Sequence, residues 1–341
     1  MSALHPLRFS GPHRSYMWGG CRIRDLLGKQ IDSPEETIAE SWEISDHDSD
    51  QSTVTDGQLA GRTLGDLTRE FGTDLIGERF HAQVNRRREA SQDPLSVPFA
   101  CRFPLLFKYL DARLALSVQV HPNDAQAWQL DPPDLGKTEA WVVLDSIPGS
   151  RIYAGLKPGV DAATLAQSVK DCHCEELLHS FEAQVGDCVY IPAGTVHSLG
   201  GGILVAEIQQ ASDVTYRLYD WNRPGPDGQL RPLQTEAALQ VIDFDRGPIE
   251  PTRADTDAAI SILVSDDNFV LRSHRFESDL TIGDGTSFHI LTVVSGEIEI
   301  EGDPAGCPLG PHQSILLPAA CGGVRIRANS GPVELLESTL P

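Results

Sequence analysis

The chain has 341 residues, with 49 Asp and Glu against 27 Lys and Arg, giving a formal charge of -22. A surface this negative repels phosphate backbones and anionic headgroups, which argues against nucleic-acid and membrane partners and requires a local positive pocket for any anionic substrate. Hydrophobic residues make up 40% of the chain, a folded globular composition, and at roughly 100 to 200 residues per domain the length predicts two domains.

The opening residues, MSALHPLRFSGPHRSYMWGG, lack the apolar core of a signal peptide, and no run approaches the roughly 18 apolar residues of a membrane span, so a cytoplasmic location is expected. Residues 62–80 carry Leu64, Leu67, Phe71 and Ile76 at helical spacing, and residues 161–181 carry Leu165, Val169, Leu177 and Leu178 likewise; both predict helices outside the sheet. The polar stretch 85–98 predicts a surface loop. Short β-rich runs separated by Gly and Pro turns (LALSVQVHP, AWVVLDS, RIYAGL, GDCVYIPAG, GGGILVAEIQQ, VTYRLYDW) indicate a mainly β fold of sandwich or barrel type. The turn-dense NRPGPDG, 222–228, followed by the helical candidate QTEAALQVIDF, marks an expected domain boundary near residue 225. Strands return in NFVLRSHRF, SFHILTVVSGEIEIEG, QSILLPA and GVRIRA, a second, smaller β module.

Seven cysteines without a CxxC pair argue against a disulfide framework and a four-cysteine zinc site. Cys172 and Cys174 bracket His173 in a helix-like stretch, where positions two apart face different ways, and are read as ordinary residues. The strand Leu114 to His121 is more informative. Alternation puts Leu114, Leu116, Val118 and Val120 on one face, predicted to be core, and Ala115, Ser117, Gln119 and His121 on the other. GKTEAW then offers Lys137 and Glu139, and GDCVYIPAGTVHSLG offers His197. Two imidazoles, one carboxylate and one amide oxygen form a ligand set for a divalent metal, zinc being favoured by its tolerance of mixed N/O donors. The spacing of Gly186, Pro192, Gly194 and His197 resembles the second signature of the cupin barrel, in which the turn presents a His inward to a metal.

Longer blocks, SYMWGG (15–20), SWEISDH (41–47), FPLLFKYLDARLALSVQVHPND (103–124), GKTEAW (136–141) and the run 186–223, are similar in order to those of type I mannose-6-phosphate isomerase in its short bacterial form. The resemblance, which spans about residues 6–223, implies a zinc-binding catalytic cupin domain with helical insertions, 1–225. The C-terminal module, 226–341, matches only in outline, and because GPHQSILLPAACGG there has a cupin-like Gly and Pro but no His after the turn, a metal-free cupin-like domain is expected. The resemblance also implies one zinc ion, held by Gln119, His121, Glu139 and His197, with Arg217 as the active-site arginine. The implied reaction interconverts mannose 6-phosphate and fructose 6-phosphate through an enediolate. Glu207 and Lys137 are candidates for proton transfer, and Lys108 and Ser117 for substrate binding, Lys108 towards the phosphate. Glu207 could instead pair with Arg217 and orient it. The rival readings are a cupin oxygenase, disfavoured because the strand offers Gln-Val-His in place of His-x-His, and a non-catalytic sugar-phosphate-binding cupin. Residues 101–223 hold nine Lys and Arg against fifteen Asp and Glu, so recognition of a dianion rests on a few inward charges.

Overall fold

A computed structural model describes residues 4–31, 36–48, 50–80, 82, 102–225, 227–329 and 331–341. The loop expected at 85–98, with its basic run 86–88, lies outside them. The fold is mainly β, in cupin-like sheets with inserted helices. Two compact units are present, each assembled from separated segments: one from Met1–Pro12, Trp42–Phe107 and Ala254–Pro341, the other from His13–Ser41 and Lys108–Arg253. The boundary expected near residue 225 falls inside the second of these.

In that second unit a five-stranded antiparallel sheet runs in the order Leu178–Glu182, Arg151–Leu156, His197–Leu199, Val118–Val120, Tyr216–Tyr219. Another sheet contains Cys188–Ile191, Glu139–Ser146 and Ile203–Gln210 as antiparallel neighbours. Ile152, Ala154 and Leu199 from the first sheet pack with Trp141, Val143, Val189, Ile203 and Val205 from the other in one buried cluster. The opposite face of the five-stranded sheet is buried as well. Val118, Val120 and Leu218 pack there with Leu165 and Val169 of the helix Ala162–Lys170 and with Ala238 and Val241 of the helix Thr235–Val241.

Double burial changes the meaning of the alternation at Leu114–His121. Val118 and Val120 do share a face, but it is the one turned to the helices, while Leu114 and Leu116 belong with the cluster between the sheets. The parity slips because regular pairing covers only Val118–Val120. Before it, the Leu116 amide still donates to the Leu199 carbonyl at 2.8 Å, but the Leu116 carbonyl accepts side-chain bonds, from Ser198 Oγ at 2.9 Å and Trp221 Nε1 at 2.6 Å. A second correction concerns residues 161–181. Asp161 caps the helix Ala162–Lys170 through the Thr164 amide, but Leu178–Glu182 is a strand, whose apolar positions a helical count absorbs equally well.

The other unit holds the sheet ordered Ile260–Ser265, Val270–Phe276, Val333–Thr339, His289–Ser295, Ser314–Leu317 and a three-stranded sheet, Leu280–Ile282, Val324–Ala328, Ile298–Ile300. Their apolar faces form one core that includes Leu291, Ile298, Ile315, Ile326 and Leu335. On the central strand, Glu337 receives His274 Nε2 on Oε2 and His289 Nδ1 on Oε1, each at 2.6 Å. Burial opposes its charge, yet the two imidazoles hold its carboxyl well below the usual carboxylate range.

Two outcomes are expected. A carboxyl depressed by folding contributes stability above its unfolded pKa of about 4.3 and loses it as pH falls below that. Glu337→Gln should therefore lower the thermal midpoint at pH 7 and flatten its decline below about pH 4 relative to the parent, measured by calorimetry across pH. Gly194 and Gly186 both hold positive φ, +86° and +88°, but a Cβ on Gly194 would stand 3.1 Å from the Val241 carbonyl oxygen, whereas at Gly186 it would meet open space. Gly194→Ala should cost about 1–3 kcal/mol in urea unfolding, and Gly186→Ala less.

Candidate metal centre and its pocket

Strand pairing converges the predicted ligands. His197 is the direct partner of Gln119, and antiparallel partners carry their side chains on one face. Glu139 opens its strand opposite Ile191 and Gln209. The turn between Ile191 and His197 is tied to the first ligand segment by the Gly194 amide, which donates to the His121 carbonyl at 2.8 Å. Following His121, Asn123 caps a short helix in a reciprocal pair with Gln126. Asp124 Oδ1 accepts from the Gly136 amide and Gln210 Nε2, each at 2.9 Å, which returns the chain to Lys137.

The geometry is one that could hold a metal ion. His121 Nε2 lies 3.5 Å from Glu139 Oε2, and His197 Nε2 lies 3.3 Å from Glu139 Oε1. All three residues are at most 1% exposed. His121 Nε2 and both Glu139 oxygens are buried without a hydrogen-bond partner, a cost that a cation would remove. Each ring's other nitrogen is committed: His121 Nδ1 donates to the Val214 carbonyl and His197 Nδ1 to the Thr195 carbonyl, both at 2.9 Å. Those bonds fix the tautomer that leaves an Nε2 lone pair facing Glu139. Burial, aided by Lys137, pushes His121 down to about 3, and burial also lowers His197, so both rings are neutral, as metal ligands must be. The Gln119 amide is 3.3 Å from His197 Nε2; with its oxygen turned to that side it adds a fourth donor. Among the described residues this is the one His/Cys/Asp/Glu group with metal-holding proximity. The His274–Glu337–His289 set differs, because each carboxylate oxygen there already takes a 2.6 Å bond.

A cavity of about 300 Å3 opens beside this centre, lined among others by Ser117, Gln119, Glu139, Lys108, Lys137 and Glu207. The charges alternate. Lys137 Nζ is 3.2 Å from Glu139 and 3.9 Å from Glu207; Lys108 Nζ is 3.8 Å from Glu207 and 3.4 Å from Glu40. Burial raises Glu207 to about 8 against the opposing pull of Lys108. Burial alone would lower Lys108, but Glu207 and Glu40 hold it above its usual value. Glu207 is thus paired with lysines, and none of its ion pairs is to Arg217.

Arg217 stands opposite Gln119 in the strand pairing and lines the same cavity. Its Nη1 donates to the Pro232 carbonyl at 3.1 Å, and burial followed by repulsion from Arg231 lowers its pKa. Tyr16, Trp18, Glu40, Asp213 and Arg231 also line the cavity, polar or aromatic wall residues that the sequence motifs do not mark as site residues. Tyr16, Trp18 and Asp213 do lie within the blocks quoted above. Arg231 lies just beyond the connector taken for a domain boundary, where no motif marks it.

Comparison with known proteins agrees with this geometry. A family model, phosphomannose isomerase type I, catalytic domain, matches residues 7–137. The mannose-6-phosphate isomerase ManA of Bacillus subtilis is 31% identical over 324 residues, covering 94% of this chain and 95% of the relative. The mannose-6-phosphate isomerase of Streptococcus mutans is 31% identical over 295 residues, 86% and 85% of the two chains. A crystal structure of the Bacillus subtilis mannose 6-phosphate isomerase superposes with a TM-score of 0.81 at 29% identity, over 98% of this chain and 99% of that one. Identity of this order along nearly the whole of both chains makes the relationship one of family: the chain belongs to the type I mannose-6-phosphate isomerases, which are aldose-ketose isomerases.

Proposed function

We propose that the protein interconverts mannose 6-phosphate and fructose 6-phosphate with one zinc ion held by Gln119, His121, Glu139 and His197. The observation that carries this reading is the buried His121–Glu139–His197 set opening onto a cavity that Lys137, Glu207 and Arg217 also line. Two neutral imidazoles, a carboxylate and an amide oxygen suit zinc. When bound, it supplies a Lewis acid for the oxygens on the first two sugar carbons. The side chains do the rest. Isomerisation moves one carbon-bound proton from C2 to C1 and one hydroxyl proton from O2 to O1, by way of an enediolate. Glu207 and Lys137, 3.9 Å apart, hold the carbon-derived proton between its removal and its return. Arg217 donates to the oxyanion that develops meanwhile. Ser117, 5% exposed, and Lys108 hold the open-chain sugar through its hydroxyls.

The reaction is tested by incubating the zinc-loaded protein with fructose 6-phosphate in heavy water and following the sugar by NMR. Mannose 6-phosphate should appear, stop appearing on chelation and return with zinc; none from the metal-loaded sample overturns the reading. Two variants separate the roles. Arg217→Ala should keep its metal and lose at least about a hundredfold in turnover, ~2.7 kcal/mol of transition-state stabilisation. His197→Ala should lose the metal, measured by elemental analysis after gel filtration.

A further inference from the structure

The cavity has two electrostatically distinct ends. Lys108 and Lys137 lie among Glu40, Glu139 and Glu207, and Asp213, itself paired with Arg14, also lines the cavity near them, so carboxylates outnumber ammonium groups at this end. The arginine end is the reverse. Asp220 is the carboxylate there, and it serves two guanidinium groups: Arg231 donates Nε to Oδ2 and Nη2 to Oδ1, both at 2.6 Å, and Arg223 donates to Oδ1 at 2.9 Å. Arg217 makes no ion pair with a carboxylate among the described residues; its side chain donates to the Pro232 carbonyl. Three guanidinium charges against one carboxylate leave a surplus of two, where Arg217 and Arg231 both reach the cavity.

Arg231 is built for an anion. Asp220 grips the Nε–Nη2 edge, which fixes the plane of the guanidinium and leaves the Nη1 edge for a ligand. Its side chain is 24% exposed although the pair holds it firmly, so this group is fixed without being covered. We propose that Arg231, clamped by Asp220 and flanked by Arg217, is a specificity residue that receives the phosphate of the substrate. This rests on the sugar-phosphate reading given above and assigns the dianion to the arginine end. Lys108, whose charge Glu40 and Glu207 already engage, is left to the sugar hydroxyls. The reacting carbons then lie towards Glu139, and Arg217, strand partner of Gln119 and neighbour of Arg231, stands between them and the phosphate, within reach of the developing oxyanion.

The test uses zinc-loaded protein and inorganic phosphate as the probe. Arg231→Gln leaves Asp220 its bond from Arg223, so no buried carboxylate is stranded. Phosphate affinity by calorimetry should fall at least about tenfold, and KM for mannose 6-phosphate should rise by a similar factor, with kcat within about threefold and zinc content unchanged. A role confined to packing would move stability and leave phosphate affinity alone. Affinity within twofold of the parent in folded Arg231→Gln overturns the proposal, as it does if phosphate binds the zinc alone. Should that variant not fold, phenylglyoxal labelling of the unaltered protein, mapped by mass spectrometry, decides the matter. Phosphate protection of Arg231 supports the seat, and labelling unaffected by phosphate overturns it. If the parent fails to isomerise the sugar phosphate yet binds phosphate through Arg231, the reaction is wrong and the anion seat stands.

Discussion

The site depends on one carboxylate kept out of water with nothing but imidazole and ammonium groups to answer it. Glu139 is 1% exposed, and burial alone would drive it neutral. Lys137, its first opposing charge, holds it ionised well below its ordinary range. One ammonium at 3.2 Å answers this buried charge only in part, and its oxygens still lack hydrogen-bond partners, so the position makes fuller physical sense when the pocket holds a cation. Glu40 and Glu139 face Lys108 and Lys137 here with neutral imidazoles and a Glu207 that burial holds largely protonated near neutral pH, so the charges of this end roughly cancel, and a divalent ion would leave it positive. The chain's overall charge of -22 does not reach the chemistry; the inward residues set the local sign.

Much of this is legible in the sequence because strands have a period of two and ligands repeat in that period. Gln119 and His121 are two apart, and strand logic puts them on one face before any coordinates are seen. What alternation does not reveal is which face is interior. In a sheet covered on one side the apolar face is the core. Here both faces are covered, and Val118 and Val120 point to helices while Gln119 points between the sheets. A polar row can line the interior only because another layer buries the valines.

The readings that failed did so for related reasons. Leu177 and Leu178 fit a helical spacing, yet Leu178 begins a strand that pairs with Arg151–Leu156; pairing across the sheet outweighs local spacing where apolar runs are short. Sequence alone allows Glu207 to pair with Arg217, but partners in a sheet are chosen by register, and Glu207 lies opposite Trp141, with the two lysines as its neighbours. Arg231 had no motif to announce it. It sits in irregular chain and gains its place through Asp220, a contact no spacing encodes.

The pairing of His197 with Gln119 has a consequence for folding as well as chemistry. Sliding one of these strands by a single residue would replace an inward ligand with Val118, Val120 or Ser198, because side chains alternate. A misaligned sheet could still bury similar apolar area, so hydrophobicity alone discriminates weakly between the alignments. Metal binding adds its free energy only to the correct one. A bound ion would therefore serve the native alignment as a proofreader, giving an energy gap to a strand pairing that would otherwise be one among several.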